Sequence, residues 1–152
     1  APIVYYLMLK GIVSDFANQY VAKNPKPSSA QDFKLSDAEY DKFVQHTKAK
    51  NFSYESEVDK ELNELKKKAD DEKMMPSIQK AFDELSAKVK DAKNNEFYQN
   101  KEDIFEFLES EIVRRYFYRR GVVEHSFKND DDIKEALKVF ANQAEYNKIL
   151  KK

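Results

Sequence analysis

The sequence contains no cysteine and no tryptophan, and it has only two glycines and four prolines among 152 residues. Without cysteine there is no disulfide framework, no thiolate nucleophile and no cysteine-ligated zinc. Glycine is the usual residue at hairpin turns, in phosphate-binding loops and at the sharp turns that carry catalytic serines. This scarcity of glycine predicts an all-α fold.

Neither sign of charge is in excess, since 27 lysines and arginines balance 28 aspartates and glutamates and leave a formal net charge of −1. A nucleic-acid-binding domain normally carries a basic excess that attracts phosphates, so nucleic acid is an unlikely partner. Hydrophobic residues make up 41% of the chain, which is too many for a disordered protein. We therefore expect residues 1–152 to form a single helical domain that needs no cofactor.

Long apolar runs are also missing. The longest, residues 3–9, is much shorter than a membrane span, which requires roughly 18 residues. No basic segment precedes it, as one would in a signal peptide. Because the first residue is alanine rather than methionine, we expect a processed product or a fragment of a longer protein.

Apolar spacing predicts an irregular bundle of about six helices around a long central helix. A first helix, whose opening residues 3–6 would also suit a strand, has an apolar face of Tyr6, Leu9, Val13, Phe16 and Tyr20. A proline- and serine-rich loop is expected over residues 23–35. Ser36 and Glu39 then form a capping box, which starts a second helix at Asp37 with Tyr40, Phe43, Val44 and Thr47 facing inward.

Two further helices are predicted to pair as an antiparallel hairpin. Ser53 is a candidate cap for the first, whose apolar stripe is Val58, Leu62, Leu65 and Ala69. Pro76 suits the first turn of the second, which should end near Asn94 and Asn95 and has as its apolar positions Ile78, Phe82, Leu85 and Val89.

The fifth predicted helix is expected to be the longest and to lie at the centre, with Asn100 as its cap. Its wide apolar side consists of Ile104, Phe105, Leu108, Ile112, Val113, Tyr116 and Phe117. Gly121 either ends this helix or lies inside it; because no proline follows, we expect the helix to continue through Val122, Val123 and Phe127. An aspartate of residues 130–132 should cap a sixth helix with Ile133, Leu137 and Phe140 inward, followed by a terminal turn containing Tyr146, Ile149 and Leu150.

One stretch interleaves basic and aromatic residues, as single-strand-binding surfaces do, and gives a candidate interaction surface of Arg114, Arg115, Arg119 and Arg120. On a continuous helix Arg115 and Arg119 share one flank, whereas Arg114 and Arg120 point elsewhere. The favoured interpretation is that the rings between them fill a core while the arginine stems lie alongside.

No motif predicts catalysis, cofactor binding or a metal site. His46 and His125 each lack a second ligand at a suitable spacing. The acidic runs at residues 70–72 and 130–132 lack the pattern of a calcium loop. The serines at caps and turns have no glycine-built oxyanion pocket beside them, among them Ser36, Ser53 and Ser77.

Several strings in order along the chain carry a family resemblance. They are FANQY (16–20), LSDAEYDKF (35–43), FSYESE (52–57), EIVRRYFYRRG (111–121), DDDIKEALKVF (130–140) and YNKIL (146–150). Together they resemble the region that follows the protease core in carboxyl-terminal processing proteases, a family of serine peptidases, in the form found in Bacteroidetes-type bacteria.

The resemblance implies a C-terminal fragment of a larger protease whose Ser and Lys catalytic pair and PDZ module lie upstream. No residue here matches the catalytic motif, so the segment itself is expected to be non-catalytic. The resemblance further implies a periplasmic or cell-envelope location, the protease core of the same polypeptide as partner, and a role as scaffold, oligomerisation surface or substrate-handling surface. The alternative is a free-standing helical adaptor that binds a partner helix or single-stranded nucleic acid through residues 114–120.

Overall fold

The computed structural model describes residues 1–150, apart from the side chains of Gln143 and Glu145. Over this range there is no β-strand, which confirms the all-α fold. The helices are α1 (Pro2–Leu9), α2 (Ile12–Lys23), α3 (Asp37–Ala49), α4 (Glu57–Asp71), α5 (Met75–Gln99), α6 (Lys101–Ser126), α7 (Asp131–Ala141) and α8 (Gln143–Ile149), with a 3₁₀ turn at Phe127–Asn129. No helix in the described range is long and apolar enough to cross a membrane.

The first predicted helix is in fact two helices, and its strand alternative is wrong. Gly11 adopts a left-handed backbone with φ of 67°, which ends α1 and opens α2 in a new direction. The face of α1 is therefore different from the predicted one. Leu9 is 63% exposed, whereas Ile3 and Leu7 are buried.

The start of α3 and its buried face are confirmed. The Ser36 hydroxyl accepts a hydrogen bond from the Glu39 amide at 3.3 Å, and the Glu39 carboxylate accepts one from the Ser36 amide at 2.7 Å. The helix buries its predicted residues, Tyr40, Phe43, Val44 and Thr47. Residues 24–36 connect it to α2 without forming a helix.

Helices α4 and α5 form the expected antiparallel hairpin, although two details differ. Ser56, not Ser53, caps α4, because its hydroxyl accepts from the Asp59 amide and the Asp59 carboxylate accepts from the Ser56 amide. Helix α5 runs to Gln99, past the predicted end at Asn94 and Asn95. The predicted apolar stripes are buried only in part, because Ala69 is buried while three members are exposed: Val58, Leu65 and Leu85.

Helix α6 continues past Gly121 to Ser126, as predicted, but it is broken at Tyr118. Tyr118 has φ of 60° and ψ of −161°, and the chain reverses there. Two residues 16 positions apart would be about 24 Å apart along a straight helix, yet His125 Nε2 lies 3.3 Å from Glu109 Oε2. We call residues 101–117 the first arm of α6 and residues 119–126 its second arm.

Gly121 allows the two arms to come together. A Cβ added there would lie 2.1 Å from Phe117 Cβ, so any larger residue would clash. At the other end of α6, Asn100 does not cap the helix with its side chain. The Asn100 side-chain amide instead donates to the Glu96 carbonyl at 3.0 Å and closes α5.

The first arm lies at the centre of the fold, as predicted, and contacts α1, α2 and α5. Ile104, Leu108, Ile112 and Val113 have no exposed surface, while Phe105, Tyr116 and Phe117 are half-buried at the edges of the core. The Tyr116 hydroxyl donates to the Asn24 carbonyl at 2.7 Å and so fixes the end of α2 against this arm. Because of the reversal, however, α5 and not α6 is the longest uninterrupted helix.

Helix α7 begins as expected, since the Asp130 carboxylate accepts a hydrogen bond from the Ile133 amide at 3.0 Å. The prediction that Leu137 and Phe140 face inward is wrong, because they are 60% and 63% exposed. The reason is that α7 packs chiefly on the 3₁₀ turn and on α8 rather than on the core.

Candidate interaction surface

The four arginines of the predicted interaction surface lie on both sides of the chain reversal. Arg114 and Arg115 belong to the first arm, and Arg119 and Arg120 to the second. The predicted shared flank of Arg115 and Arg119 required a continuous helix, so that geometric argument is wrong. Use of these residues as a binding surface stays a prediction.

Arg115 has a structural role that its sequence context did not reveal. Its guanidinium donates to Asn18 Oδ1 at 2.6 Å, to the Ser14 hydroxyl at 2.7 Å and to the Glu111 carboxylate at 2.9 Å. The bonds to Asn18 and Ser14 join the first arm to α2. Arg114 pairs more loosely with Glu111, at 3.4 Å.

The arginines of the second arm are more exposed to solvent than Arg115. Arg120 pairs with Glu124 of the next turn, at 2.8 Å, and Arg119 is exposed. Of the rings between the arginines, Tyr116 and Phe117 are half-buried against the core, as the favoured interpretation requires, but Tyr118 is 78% exposed.

Both histidines considered for metal binding lie beside a single carboxylate. His46 faces Asp15, with Nε2 to Oδ2 at 3.3 Å, and Lys50 approaches the same carboxylate to 2.8 Å. The hydrogen bond from Lys50 lowers the pKa of Asp15. Across the described residues, no group of three or more histidine, aspartate or glutamate side chains is placed to hold a metal ion.

A buried polar cluster joins the loop over residues 24–36 to the two arms of α6. Glu109 is 5% exposed, and its carboxylate accepts from the Leu35 amide at 2.9 Å and from the Lys128 ammonium at 2.8 Å. Burial alone would raise the pKa of Glu109, but hydrogen bonds from His125, Lys128 and Leu35 hold it below the ordinary value. We assign this cluster a stabilising role.

A groove lies between the α4–α5 hairpin and the segment that connects α3 to α4, with a volume of about 490 Å³. We call it the hairpin groove. Apolar residues form its floor, and of these Phe52, Leu62, Phe82 and Phe97 are half-buried while Ile3 is buried. Polar side chains form its walls: Asp59, Asn63, Lys66, Ser86, Lys90, Lys93 and Asn94.

The charges in the hairpin groove fall into two groups. Lys93 is committed within the fold, since its ammonium lies 2.5 Å from the Asp59 carboxylate and donates to the Tyr54 carbonyl at 2.6 Å. Burial would raise the pKa of Asp59, but Lys93 and the Ser56 donors lower it to about 2. Lys66 and Lys90 are exposed and form no ion pair with the described residues.

Sequence reasoning missed the hairpin groove because it assigned Leu62 and Phe82 to helix faces that cover a core. The spacing of the lysines could have indicated the groove. Lys66 lies four residues after Leu62 on α4, and Lys90 lies eight residues after Phe82 on α5. Each lysine therefore shares a helix face with an apolar groove residue.

A second groove, of about 500 Å³, lies between α2 and α3 and mixes charges of both signs at its edges. Its acidic member, Glu39, is already bonded to the Tyr20 hydroxyl at 2.7 Å. Separately, α1 has no charged residue and turns Tyr5, Met8 and Leu9 outward, each more than half exposed.

The comparisons with known proteins concern the packed helices as a whole. Residues 3–140 match the sequence profile of the C-terminal helical domain of a probable PDZ-protease. The chain belongs to this family. The match reaches from α1 nearly to the end of α7, and it confirms the resemblance to the C-terminal helical region of a processing protease. As a PDZ-protease helical domain, the chain is a non-catalytic part of a probable protease. No curated protein and no solved structure shows significant similarity to it.

Proposed function

We propose that this PDZ-protease helical domain is the accessory domain of a cell-envelope serine peptidase that processes protein C-termini. In this proposal a Ser/Lys pair in the protease core of the same polypeptide cleaves the substrate, and the helical domain positions that substrate for the core. The observation that carries the proposal is the family match over residues 3–140.

Two features of the fold support a positioning role. The centre of the domain is fully packed around the first arm, which gives a rigid body that can hold surfaces in place. Its outer elements carry the grooves and exposed apolar residues described above, which are the kinds of surface that contact other chains.

The test compares the full-length protease with a form that lacks residues 3–140. Both are assayed on a short peptide, which needs only the catalytic core, and on a folded protein with a C-terminal tail. We expect the deletion to spare most peptide cleavage and to reduce cleavage of the tailed protein by at least about tenfold. Equal loss on both substrates, or no loss on either, would contradict a positioning role.

A second measurement addresses the remaining parts of the proposal. The isolated 152-residue chain should not degrade casein, and degradation blocked by a serine-directed inhibitor would sink the accessory assignment. Fractionation of the source cells should recover the full-length protein with envelope markers, and light scattering should report whether it assembles with itself. Recovery with cytoplasmic markers would contradict the envelope location.

A further inference from the structure

We infer that the hairpin groove binds an acidic peptide segment, which places apolar side chains on its aromatic floor and carboxylates beside Lys66 and Lys90. The inference goes beyond the proposed function, which assigns no binding site, and it does not depend on it. The described residues that carry it lie on α4, on α5 and in the segment connecting α3 to α4.

The floor of the groove provides the apolar part of the site. Phe52, Phe82 and Phe97 are half-buried and line the groove, and Phe52 and Phe97 also pack against the core. The volume of about 490 Å³ lies within the range of roughly 300–1,000 Å³ typical of ligand sites. It suits a short stretch of peptide with a few large side chains.

The walls of the groove set the charge of the ligand. Asp59 is the acidic residue among the groove residues, and Lys93 already neutralises it at 2.5 Å. Two nearby carboxylates accept hydrogen bonds from neutral donors and do not line the groove, since Glu55 accepts from Asn63 at 3.2 Å and Glu96 accepts from the Tyr54 hydroxyl. Lys66 and Lys90 form no ion pair with the described residues, and a ligand with carboxylates complements them.

The same arrangement fits a peptide better than a nucleic acid. A nucleic acid strand presents a row of phosphates and is bound by many cations in line, whereas the groove offers two. The chain as a whole has a net charge of −1, which gives no long-range attraction for a polyanion. Two ammonium groups beside an apolar floor match a few carboxylates spaced among apolar residues.

The test uses the 152-residue chain and a fluorescein-labelled peptide of about twelve residues that contains leucine, phenylalanine and several glutamates. Binding is followed by fluorescence anisotropy at low and at moderate salt. Two further probes have every glutamate replaced by glutamine, or every leucine and phenylalanine replaced by serine. We expect saturable binding of the first peptide, weakened at least about tenfold by either replacement and by the higher salt.

Matched charge reversals locate the site. The double variant Lys66→Glu plus Lys90→Glu should weaken binding of the glutamate peptide at least about tenfold. The control is Lys67→Glu plus Lys88→Glu, which changes the net charge equally at exposed positions of the same two helices outside the groove. It should change the affinity less than about threefold.

A second pair of variants tests the apolar floor. Phe82→Ala should weaken binding, whereas Leu85→Ala, at an exposed position outside the groove on the same helix, should not. Circular dichroism melting of each variant separates loss of binding from loss of folding. The charge-reversal pair, whose side chains are exposed, keeps the test decisive if Phe82→Ala unfolds.

Several outcomes would overturn the inference: no saturable binding, equal binding of the glutamine peptide, equal loss in both charge-reversal pairs, or tighter binding of a single-stranded RNA than of the peptide. If the chain does not bind the peptide but deletion of residues 3–140 reduces cleavage of the tailed protein, the groove is refuted as a binding site and the proposed function stands. If the chain binds the peptide but the deletion has no effect on cleavage, the proposed function is refuted and the groove stands as a binding site.

Discussion

Tyr118 adopts a backbone conformation that is almost restricted to glycine. Its φ of 60° and ψ of −161° place the Cβ in close contact with the backbone, and this strain costs about 1–3 kcal/mol. The Tyr118 ring is exposed, so it forms no core contact that would compensate the strain. Glycine at this position would remove the strain but would lose about 0.5–1 kcal/mol to the greater freedom of the unfolded chain. We expect Tyr118→Gly to raise the free energy of unfolding by about 1 kcal/mol in urea denaturation.

The control for this prediction is Tyr118→Ala, which removes the ring and retains the Cβ. It should not stabilise the protein. A glycine variant that is less stable than the alanine variant would show that the reversal is unstrained.

Glu109 should make stability depend on pH. Its pKa lies below the ordinary value of 4.5 because buried hydrogen bonds favour the carboxylate. A depressed acid pKa contributes stability above the unfolded pKa, and this contribution is lost as the pH falls through the folded pKa. We expect Glu109→Gln to lower the free energy of unfolding by about 2 kcal/mol at pH 7. This loss is smaller than for a fully buried ion pair, because Lys128 is 26% exposed.

The measurement is urea denaturation of the wild type and Glu109→Gln at neutral and acidic pH. The difference in the free energy of unfolding between the wild type and Glu109→Gln should become smaller below about pH 4.5. Glu106→Gln, at an exposed position of the same arm, should change stability by less than about 0.5 kcal/mol. A gap that stays constant with pH would mean that Glu109 is not ionised in the folded protein.

At the scale of the element, the start of α4 distinguishes two serines. The Ser56 hydroxyl and the Asp59 carboxylate each satisfy a backbone amide at the helix start, whereas Ser53 lies three residues earlier, outside the helix. Ser56→Ala should destabilise the protein by about 1 kcal/mol, while Ser53→Ala should have almost no effect. Thermal melting of the two variants checks this, and equal effects would contradict the assignment of the cap.

Local sequence signals predicted the elements that depend on local contacts. The capping box at Ser36 and Glu39 identified the start of α3, and the same pattern at Ser56 and Asp59 would have identified α4 had it been used instead of Ser53. The spacing of Leu108 and Ile112 likewise marked the central arm, because a wide apolar face must be covered on several sides.

The features that sequence reasoning missed depend on distant contacts. The reversal at Tyr118 places a tyrosine where glycine is the usual residue, so local preference pointed to a continuous helix. The apolar face of α7 was recognised, but periodicity does not specify a partner, and Phe140 is exposed. Half-buried aromatics such as Phe82 follow the same spacing as core residues, so the groove was not visible either.

At the scale of the whole molecule, the two ends of the chain contribute unequally. Helix α7 buries no residue and packs chiefly on the 3₁₀ turn and α8, whereas α1 contributes Ile3 and Leu7 to the core. Truncation after Asp130 should therefore lower the melting temperature by about 3 °C or less, which corresponds to about 1 kcal/mol. Removal of residues 1–10 should lower the free energy of unfolding by several kcal/mol, because it removes buried apolar side chains.

Calorimetry of the two truncated forms measures this difference. The form lacking residues 1–10 serves as the comparison, because it removes fewer residues than the C-terminal truncation. A C-terminal truncation that melts as low as the N-terminal one would mean that α7 and α8 stabilise the core.

The hydrogen bonds between α2 and the first arm of α6 also govern how the chain reaches its native state. Arg115 to Ser14 and Tyr116 to Asn24 join positions 101 and 92 residues apart, while the α4–α5 hairpin and the two arms of α6 form between sequence neighbours. Closing such a long loop costs entropy before any contact compensates it. We therefore expect this closure to limit the refolding rate, and we expect substitutions where α2 meets the first arm to slow folding more than substitutions in either local pair.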